Sequence, residues 1–470
     1  MIFKSTYSLF FFPILVWLIA YFGFSFDGLY GQDAYEYLRY TEALKSFLET
    51  GKPPGDYFWG VYYPIFGSVL SFMIPKMVLA LQLISVLSLS LGAIYLDKIV
   101  RLVYNKDSTN NIPFLFFTLS PFILIHSILV MSDMFACCLT IVAIYHLLVF
   151  VKKATGKSLL LGTIFVMFAM LTRYATVVIL FPFCFLALVH VVKKRNFIYV
   201  LLSLIAAGLI AIPHIAIRSQ NSLQFLSHEW LSSWNILNLF RSNFTTIDGE
   251  MHYNCINVIY AFFTFFHPAF FIFGILLLLF FIKRRTIQFP KRQRLFLIAI
   301  ILYSVFLAGI PFQNKRFLIL AFPLIIVFLF PIIKQLFESL KRPKLVLIII
   351  VFIQVSLGIF YAKTFFERNI LERTIAQEIE KYQGSTIYAF DIDIALKGRK
   401  LDFKYKSLWK EKLPDFETNA LLLVNGKQLE KQWKGKNPLV NWQNAKQNYQ
   451  LEKLKSFSGD FNLYRIGERK

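Results

Sequence analysis

Acidic residues are scarce in this chain, with 27 Asp and Glu against 50 Lys and Arg and a formal net charge of +23. Between Asp107 and Glu229 a single carboxylate occurs, Asp133. Cysteine is equally sparse. Of the four, Cys137, Cys138 and Cys184 lie inside apolar runs, where Cys behaves as a small hydrophobe, and Cys255 borders a polar loop. That excludes a disulfide framework and a CxxC metal site. No GxSxG, HExxH or P-loop signature is present, so the common hydrolase, zinc-protease and nucleotide-binding motifs have no support. Internal repeats and low-complexity stretches are lacking too.

Apolar residues dominate instead. The hydrophobic share is 57% and the aromatic share 18%, with 53 Phe, and the mean hydropathy is +0.57. Such a composition excludes an ordinary soluble protein. Crossing a hydrocarbon layer of about 30 Å takes about 20 apolar residues. Residues 7–24, 77–97, 111–128, 134–151, 158–173, 174–192, 197–217, 256–282, 295–311, 316–333 and 345–362 each supply such a run. The first has a basic flank at Lys4 but lacks a small-x-small cleavage site, and reads as a retained span. Tyr62 to Pro75 is apolar but short and bracketed by Pro64 and Pro75, which suits an interfacial or re-entrant segment.

The positive charge is spread in a way that argues against a nucleic-acid partner. It gathers in short clusters between apolar runs: Lys4, Lys98/Arg101/Lys106, Lys152/Lys153/Lys157, Lys193/Lys194/Arg195, Lys283 to Arg294 and Lys334 to Lys344. Cytoplasmic loops carry this excess of Lys and Arg. With those loops inside, the chain makes about 11 crossings, its N-terminus inside and its C-terminal tail outside the inner membrane. Lys315-Arg316 is the exception, a basic pair on the outer side.

The expected architecture is a polytopic α-helical membrane domain over residues 1–362, with outer loops at 25–61 and 218–255, and an extracytoplasmic α/β domain over 363–470. In the tail, 365–383 reads as a polar helix, Ser385 to Phe390 and Ala420 to Asn425 as strands, and 449–456 with 461–466 as a hairpin around Ser458-Gly459.

Carboxylates at a membrane boundary are expensive and point to function. Gly31-Gln32-Asp33-Ala34-Tyr35-Glu36-Tyr37 follows the first span directly. A carboxylate held there can act as a general base on an acceptor hydroxyl. Tyr30, Tyr35 and Tyr37 offer faces on which a sugar ring stacks. A helix from Gln32 places Asp33 and Glu36 on one face, and the plain alternative is a surface helix running to about Thr50. Asp133, after Ser132, is on the same membrane side, although that is also an ordinary helix-capping position. Asp33 and Asp133 are the carboxylates that a divalent cation, Mg or Mn, would bridge to a phosphate, since hard cations prefer oxygen.

Positive groups on this outer side are Arg173, Arg218 and Arg316, with His126, His214 and His267. Arg grips a leaving phosphate and stabilises its growing charge, whereas snorkelling to headgroups is the unspecific alternative. Asp391-Ile-Asp393 looks like a DxD motif but has no glycine-rich loop beside it, so a solvated strand end is the simpler reading. Asp248-Gly-Glu250-Met-His252 and His228-Glu229 have metal-like residue types at loop-like spacing, and Lys52-Pro53-Pro54 reads as a rigid turn.

Taken in order, Asp33 behind the first span, Tyr62-Tyr63-Pro64, Ser132-Asp133, Leu171-Thr172-Arg173-Tyr174, and Arg316-Phe317 leading to Pro323 resemble the GT-C superfamily of membrane glycosyltransferases. The nearer likeness is to the protein mannosyltransferase and aminoarabinose-transferase group, glycosyltransferase family 39, over roughly residues 1–335. The resemblance implies transfer of a sugar from a polyprenyl-phosphate donor to a lipid, glycan or protein acceptor at the outer face. It makes Asp33 the catalytic base, Asp133 a second active-site carboxylate, and Arg173 and Arg316 the phosphate contacts. Tyr35, Glu36, Tyr63 and Tyr174 complete the candidate substrate-binding set. The chain departs from the pattern in two places: Glu36 is three residues from Asp33 rather than adjacent, and Lys52-Pro53-Pro54 falls about ten residues before the position at which the aminoarabinose enzymes carry Lys-Pro-Pro. The donor sugar is therefore open. A transporter or lipid flippase using the same carboxylates for ions is the rival reading. Such proteins carry midplane sites on broken helices and paired repeats, and the sequence displays neither.

Overall fold

The computed structural model describes residues 6–105, 111–194, 197–217, 228–283 and 291–470. Lys4, Lys106, Arg195 and Arg218, and the stretch 284–290 of the basic run, lie outside the described residues. The chain divides into two compact units. One comprises 1–28, 40–240 and 255–363, and the other 29–39, 241–254 and 364–470.

The first unit is helical. Six described helices are long and apolar enough to cross a membrane: Met77–Tyr104, Asp133–Lys153, Thr176–Lys194, Phe197–Ile217, Arg292–Gly309 and Pro343–Tyr382. Helix Asp133–Lys153 is apolar almost all round and correspondingly enclosed, with every residue from Asp133 to Ile144 buried. It ends where Ala154 turns left-handed (φ 56°), and Lys152 and Lys153 complement the negative end of its dipole. Phe197–Ile217 is the opposite case. Its Phe197, Leu201, Leu204, Leu209 and Ile212 are exposed, a face that only lipid can solvate.

Other apolar runs are present in pieces, and proline explains most breaks. Run 111–128 forms two helices, Ile112–Thr118 and Pro121–Ser127. Pro121 lacks the N–H that would continue the first and holds Ser120 extended (φ −59°, ψ 121°). Run 256–282 forms Asn257–Phe263, a 3-10 turn Thr264–Phe266, and Gly274–Lys283, interrupted after His267-Pro268. Run 316–333 opens as the 3-10 helix Lys315–Leu320 before Phe322–Glu338. Tyr62–Leu70 is a nine-residue helix, about 13 Å long and too short to cross.

The second unit contains two sheets. A hairpin, β1 (Asn243–Thr246) and β2 (Gly249–His252), was not foreseen from the sequence. Gly249 sits at φ +95°, and a Cβ there would lie 2.5 Å from the Gln432 carbonyl oxygen, so only glycine fits. The larger sheet has five strands: β3 (Thr386–Ala389), β4 (Lys404–Ser407), β5 (Leu421–Val424), β6 (Tyr449–Ser456) and β7 (Asn462–Arg469). Their order is β4-β3-β5-β7-β6, with β3 parallel to β4 and β5, and β7 antiparallel to β5 and β6. Strands β3 and β5 are buried along their whole length, as expected of parallel strands covered on both faces. Polar β4 escaped the sequence reading because its alternation, Lys-Tyr-Lys-Ser, lacks an apolar signal. The polar helix read at 365–383 is the end of one 37-residue helix, Pro343–Ile379, followed by the 3-10 turn Glu380–Tyr382.

Candidate active site

Three charged side chains singled out from the sequence meet inside the helical unit. Asp133 opens helix Asp133–Lys153 and is 1% exposed. A carboxylate is favoured at a helix N-terminus, where unpaired N–H groups concentrate positive potential. Ser132 makes no side-chain capping bond, and the Asp133 carboxylate is taken up by two guanidinium groups. Arg173 Nη1 donates to Oδ1, and Arg316 Nε lies 3.4 Å from Oδ2.

Local backbone structure delivers both arginines. Helix Gly156–Thr172 stops at Thr172, and Arg173 adopts an extended conformation (φ −152°, ψ 107°) that turns its side chain out of the helical path. Gly60 is packed against this corner. A Cβ there would come within 2.4 Å of the Thr172 carbonyl oxygen and 2.5 Å of the Leu171 oxygen. Arg316 is held by the 3-10 helix Lys315–Leu320, whose first residues are fixed by Asn314 Oδ1 accepting from the Arg316 backbone N–H at 3.0 Å. Its Nη1 also lies 3.3 Å from Met131 Sδ.

Both guanidinium groups are largely enclosed, with 14% and 16% of their side chains exposed. A pair of unit charges at about 4 Å gains roughly 4 kcal/mol at an effective dielectric of about 20. Desolvation costs several kcal/mol per ion, so burial is tolerated only when the charges are well paired. The described cluster sets two positive charges on one negative one. Grouped cations of this kind favour an anionic ligand. Among the described residues, no group of three or more His, Cys, Asp or Glu side chains has metal-binding geometry.

Around the cluster runs an aromatic ladder that the sequence reading missed. The Arg173 guanidinium lies 5.4 Å from the Phe317 ring centroid. Phe317 is 6.1 Å from Phe312, which stacks on Trp230 at 4.3 Å and 13°. Tyr303 fixes this segment by donating to the Phe317 carbonyl at 2.9 Å. Single aromatics in a chain with 53 Phe give no sequence signal of their own.

Two tyrosines proposed for substrate, Tyr63 and Tyr174, also lie in the helical unit. Tyr63 is fully buried, its hydroxyl bonded to the Leu81 carbonyl at 3.0 Å and to Ser85 Oγ at 2.9 Å. It offers no open ring face. Tyr174 is half-buried, 6.0 Å edge-on from the His214 ring, with its hydroxyl 3.5 Å from the Trp59 carbonyl.

Several other candidates belong to the second unit. Asp33 lies in the first turn of helix Gly31–Thr50 and is half-buried. Glu36 is bound by Arg39, whose Nε donates to Oε2 at 2.8 Å. An i,i+3 pair of this kind is ordinary helix-surface chemistry. Tyr35 is 1% exposed and donates to Glu372 Oε2 at 2.6 Å, so its ring is not an open stacking face. Asp391 accepts from Arg368 at 2.9 Å. Burial lifts the Asp393 carboxyl above its usual range against the opposing pull of Lys397, 3.6 Å away. The Asp248 to His252 stretch is the β1–β2 hairpin, with Glu250 and His252 3.9 Å apart.

Comparison with known proteins fits this arrangement. The Alg9-like mannosyltransferase family matches residues 34–388, which include Asp133, Arg173 and Arg316 and begin one residue after Asp33. No curated protein matches the chain. The crystal structure of ArnT from Cupriavidus metallidurans bound to undecaprenyl phosphate aligns with a TM-score of 0.60 at 11% identity, covering 96% of this chain and 97% of that one. The same protein in the apo state aligns with a TM-score of 0.58 at 11% identity, covering 96% of each. At this identity the likeness establishes the fold, a helical GT-C architecture with a small C-terminal sheet domain. The superfamily foreseen from the ordered motifs is the one found: the family model that matches is the Alg9-like one, and the matching solved structures are of ArnT, a GT-C aminoarabinose transferase. The chain is thus a multi-pass membrane glycosyltransferase and belongs to the Alg9-like mannosyltransferase family.

Proposed function

We propose that the protein moves a sugar from a polyprenyl-phosphate donor to an acceptor at the outer face of the cytoplasmic membrane, with Asp33 as general base. The observation that carries this reading is the buried convergence of Arg173 and Arg316 on Asp133. Paired guanidinium groups in a low-dielectric setting are suited to a phosphate that gains charge as its bond to the sugar breaks. The fold shared with a protein solved with undecaprenyl phosphate supports the same donor class.

The reaction is a single displacement. Asp33 removes the proton from an acceptor hydroxyl, and the resulting oxygen attacks the anomeric carbon. The carbon–oxygen bond to phosphate breaks, and its electron pair leaves with the polyprenyl phosphate towards Arg173 and Arg316. Attack from the side opposite the leaving group inverts the anomeric configuration. Asp133 orients the two arginines. The acceptor hydroxyl belongs to a lipid, a glycan or a protein.

Mass spectrometry of lipids from a deletion strain tests the donor class, with accumulation of one polyprenyl-linked sugar expected. Unchanged lipid pools would refute it. Arg316→Gln removes one charge-assisted contact, worth about 1.5–3 kcal/mol. The KM for the lipid donor is therefore expected to rise about 10- to 100-fold. An unaltered KM would remove Arg316 from the phosphate site.

The basic loops support about 11 crossings with the N-terminus inside. On that topology, alkaline phosphatase fused after Lys470 is active and a cytoplasm-dependent reporter at the same point is dark. The reverse pattern would overturn the orientation.

A further inference from the structure

The tail unit holds the segment that carries Asp33. Residues 29–39 form one compact unit with 364–470. Tyr35, 1% exposed, donates its hydroxyl to Glu372 Oε2 at 2.6 Å. Glu372 is fully buried, and its other oxygen accepts from Arg368 Nε at 2.7 Å. Arg368 continues to Asp391 Oδ2 at 2.9 Å, and Gln32 Nε2 lies 3.4 Å from Asp391 Oδ1. Asn369, also fully buried, donates to the Leu29 carbonyl at 2.8 Å.

The tail packs on the Tyr35 ring as well. The Arg399 guanidinium lies 5.6 Å from its centroid. At Gly398 a Cβ would fall 2.3 Å from Tyr35 Cδ1, so glycine is required for the ring to seat. Asp391 adopts a left-handed backbone (φ 70°), a conformation Asp tolerates at some cost. That strain places its carboxylate between Arg368 and Gln32.

These contacts reach Leu29, Gln32 and Tyr35, on both sides of Asp33 in the first helical turn. The first turn of a helix lacks internal partners for its N–H groups and frays unless it is tied down. We propose that Tyr35 and Glu372 are positioning residues, and that the tail unit clamps the first turn of helix Gly31–Thr50 so that the Asp33 carboxylate keeps a fixed aim. The inference rests on the assignment of Asp33 as base. A displacement of about 1 Å at a reacting group can cost about 100-fold in rate, which sets the scale of the effect.

The test uses full-length Tyr35→Phe, Glu372→Gln and Glu372→Ala proteins in lipid nanodiscs. Hydrogen exchange over residues 29–39 is expected to rise in all three. Their kcat is expected to fall about 10- to 100-fold while the KM for the lipid donor stays within about twofold. Glu372→Gln, which keeps an acceptor for Tyr35, retains more activity than Glu372→Ala. Tyr35→Phe keeps the buried ring and remains informative if Glu372→Ala fails to fold. Unchanged exchange in Tyr35→Phe, or raised exchange with intact kcat, would overturn the clamp. Asp33→Asn run in parallel separates the two ideas. Loss of transfer there beside intact kcat in the clamp variants sinks this inference alone, whereas full activity in Asp33→Asn sinks the base assignment.

Discussion

Asp33→Asn is expected to abolish sugar transfer, by at least about 1,000-fold, while the protein still inserts and folds. General-base catalysis contributes about 100- to 10,000-fold, and an amide cannot accept the acceptor's proton at all. Asparagine has the size of aspartate and is accepted at helix starts, so the first turn of Gly31–Thr50 is retained. Binding of the lipid donor should be nearly unchanged, because the proposed phosphate contacts are Arg173 and Arg316. The measurement is turnover of a synthetic polyprenyl-phosphate sugar beside a binding assay with the same lipid. Wild-type turnover in the variant would remove Asp33 from the mechanism.

Asp133→Asn should act differently, on folding as well as on catalysis. The carboxylate is 1% exposed and serves two guanidinium groups. Its neutralisation leaves both cations in an enclosed site without their shared anion. Removing one partner of a buried ion pair typically costs about 3–5 kcal/mol. A lowered melting temperature in nanodiscs and near-complete loss of transfer are expected. Asp133→Asn/Arg316→Met reduces the stranded charge and should recover part of the stability without recovering activity. Additive losses in that double variant would show that Asp133 and Arg316 are not coupled. The contrast is diagnostic: Asp33 variants are expected to lose chemistry alone, and Asp133 variants the framework that holds the proposed phosphate contacts.

Arg173 and Asp133 are 40 residues apart in the chain, and both stood out in the sequence for one reason. A charged group next to an apolar run is costly, so each is retained only with a partner or a ligand. The same argument exposed Arg316, a basic residue that the charge pattern of the loops assigns to the side where basic residues are expected to be depleted. Buried strands β3 and β5 were legible because an unbroken apolar stretch of that length permits few alternatives. Tyr63 and Tyr35 are buried, which the sequence could not show, because an aromatic ring looks the same in a sequence whether it faces a substrate or fills a core.

By itself, the sequence determined that the chain lives in a membrane, that apolar helices build most of it, and which charges are too expensive to be incidental. Those properties follow from local composition, since the cost of burying a group is paid residue by residue. Tertiary structure decided which of those charges share a site. It also decided that proline splits several expected spans, and that the tail unit grips the segment around Asp33 through Tyr35 and Glu372, 337 residues apart. Pairings at that separation leave no periodic trace in the chain, because each partner needs only the right group at the right place once the fold has formed.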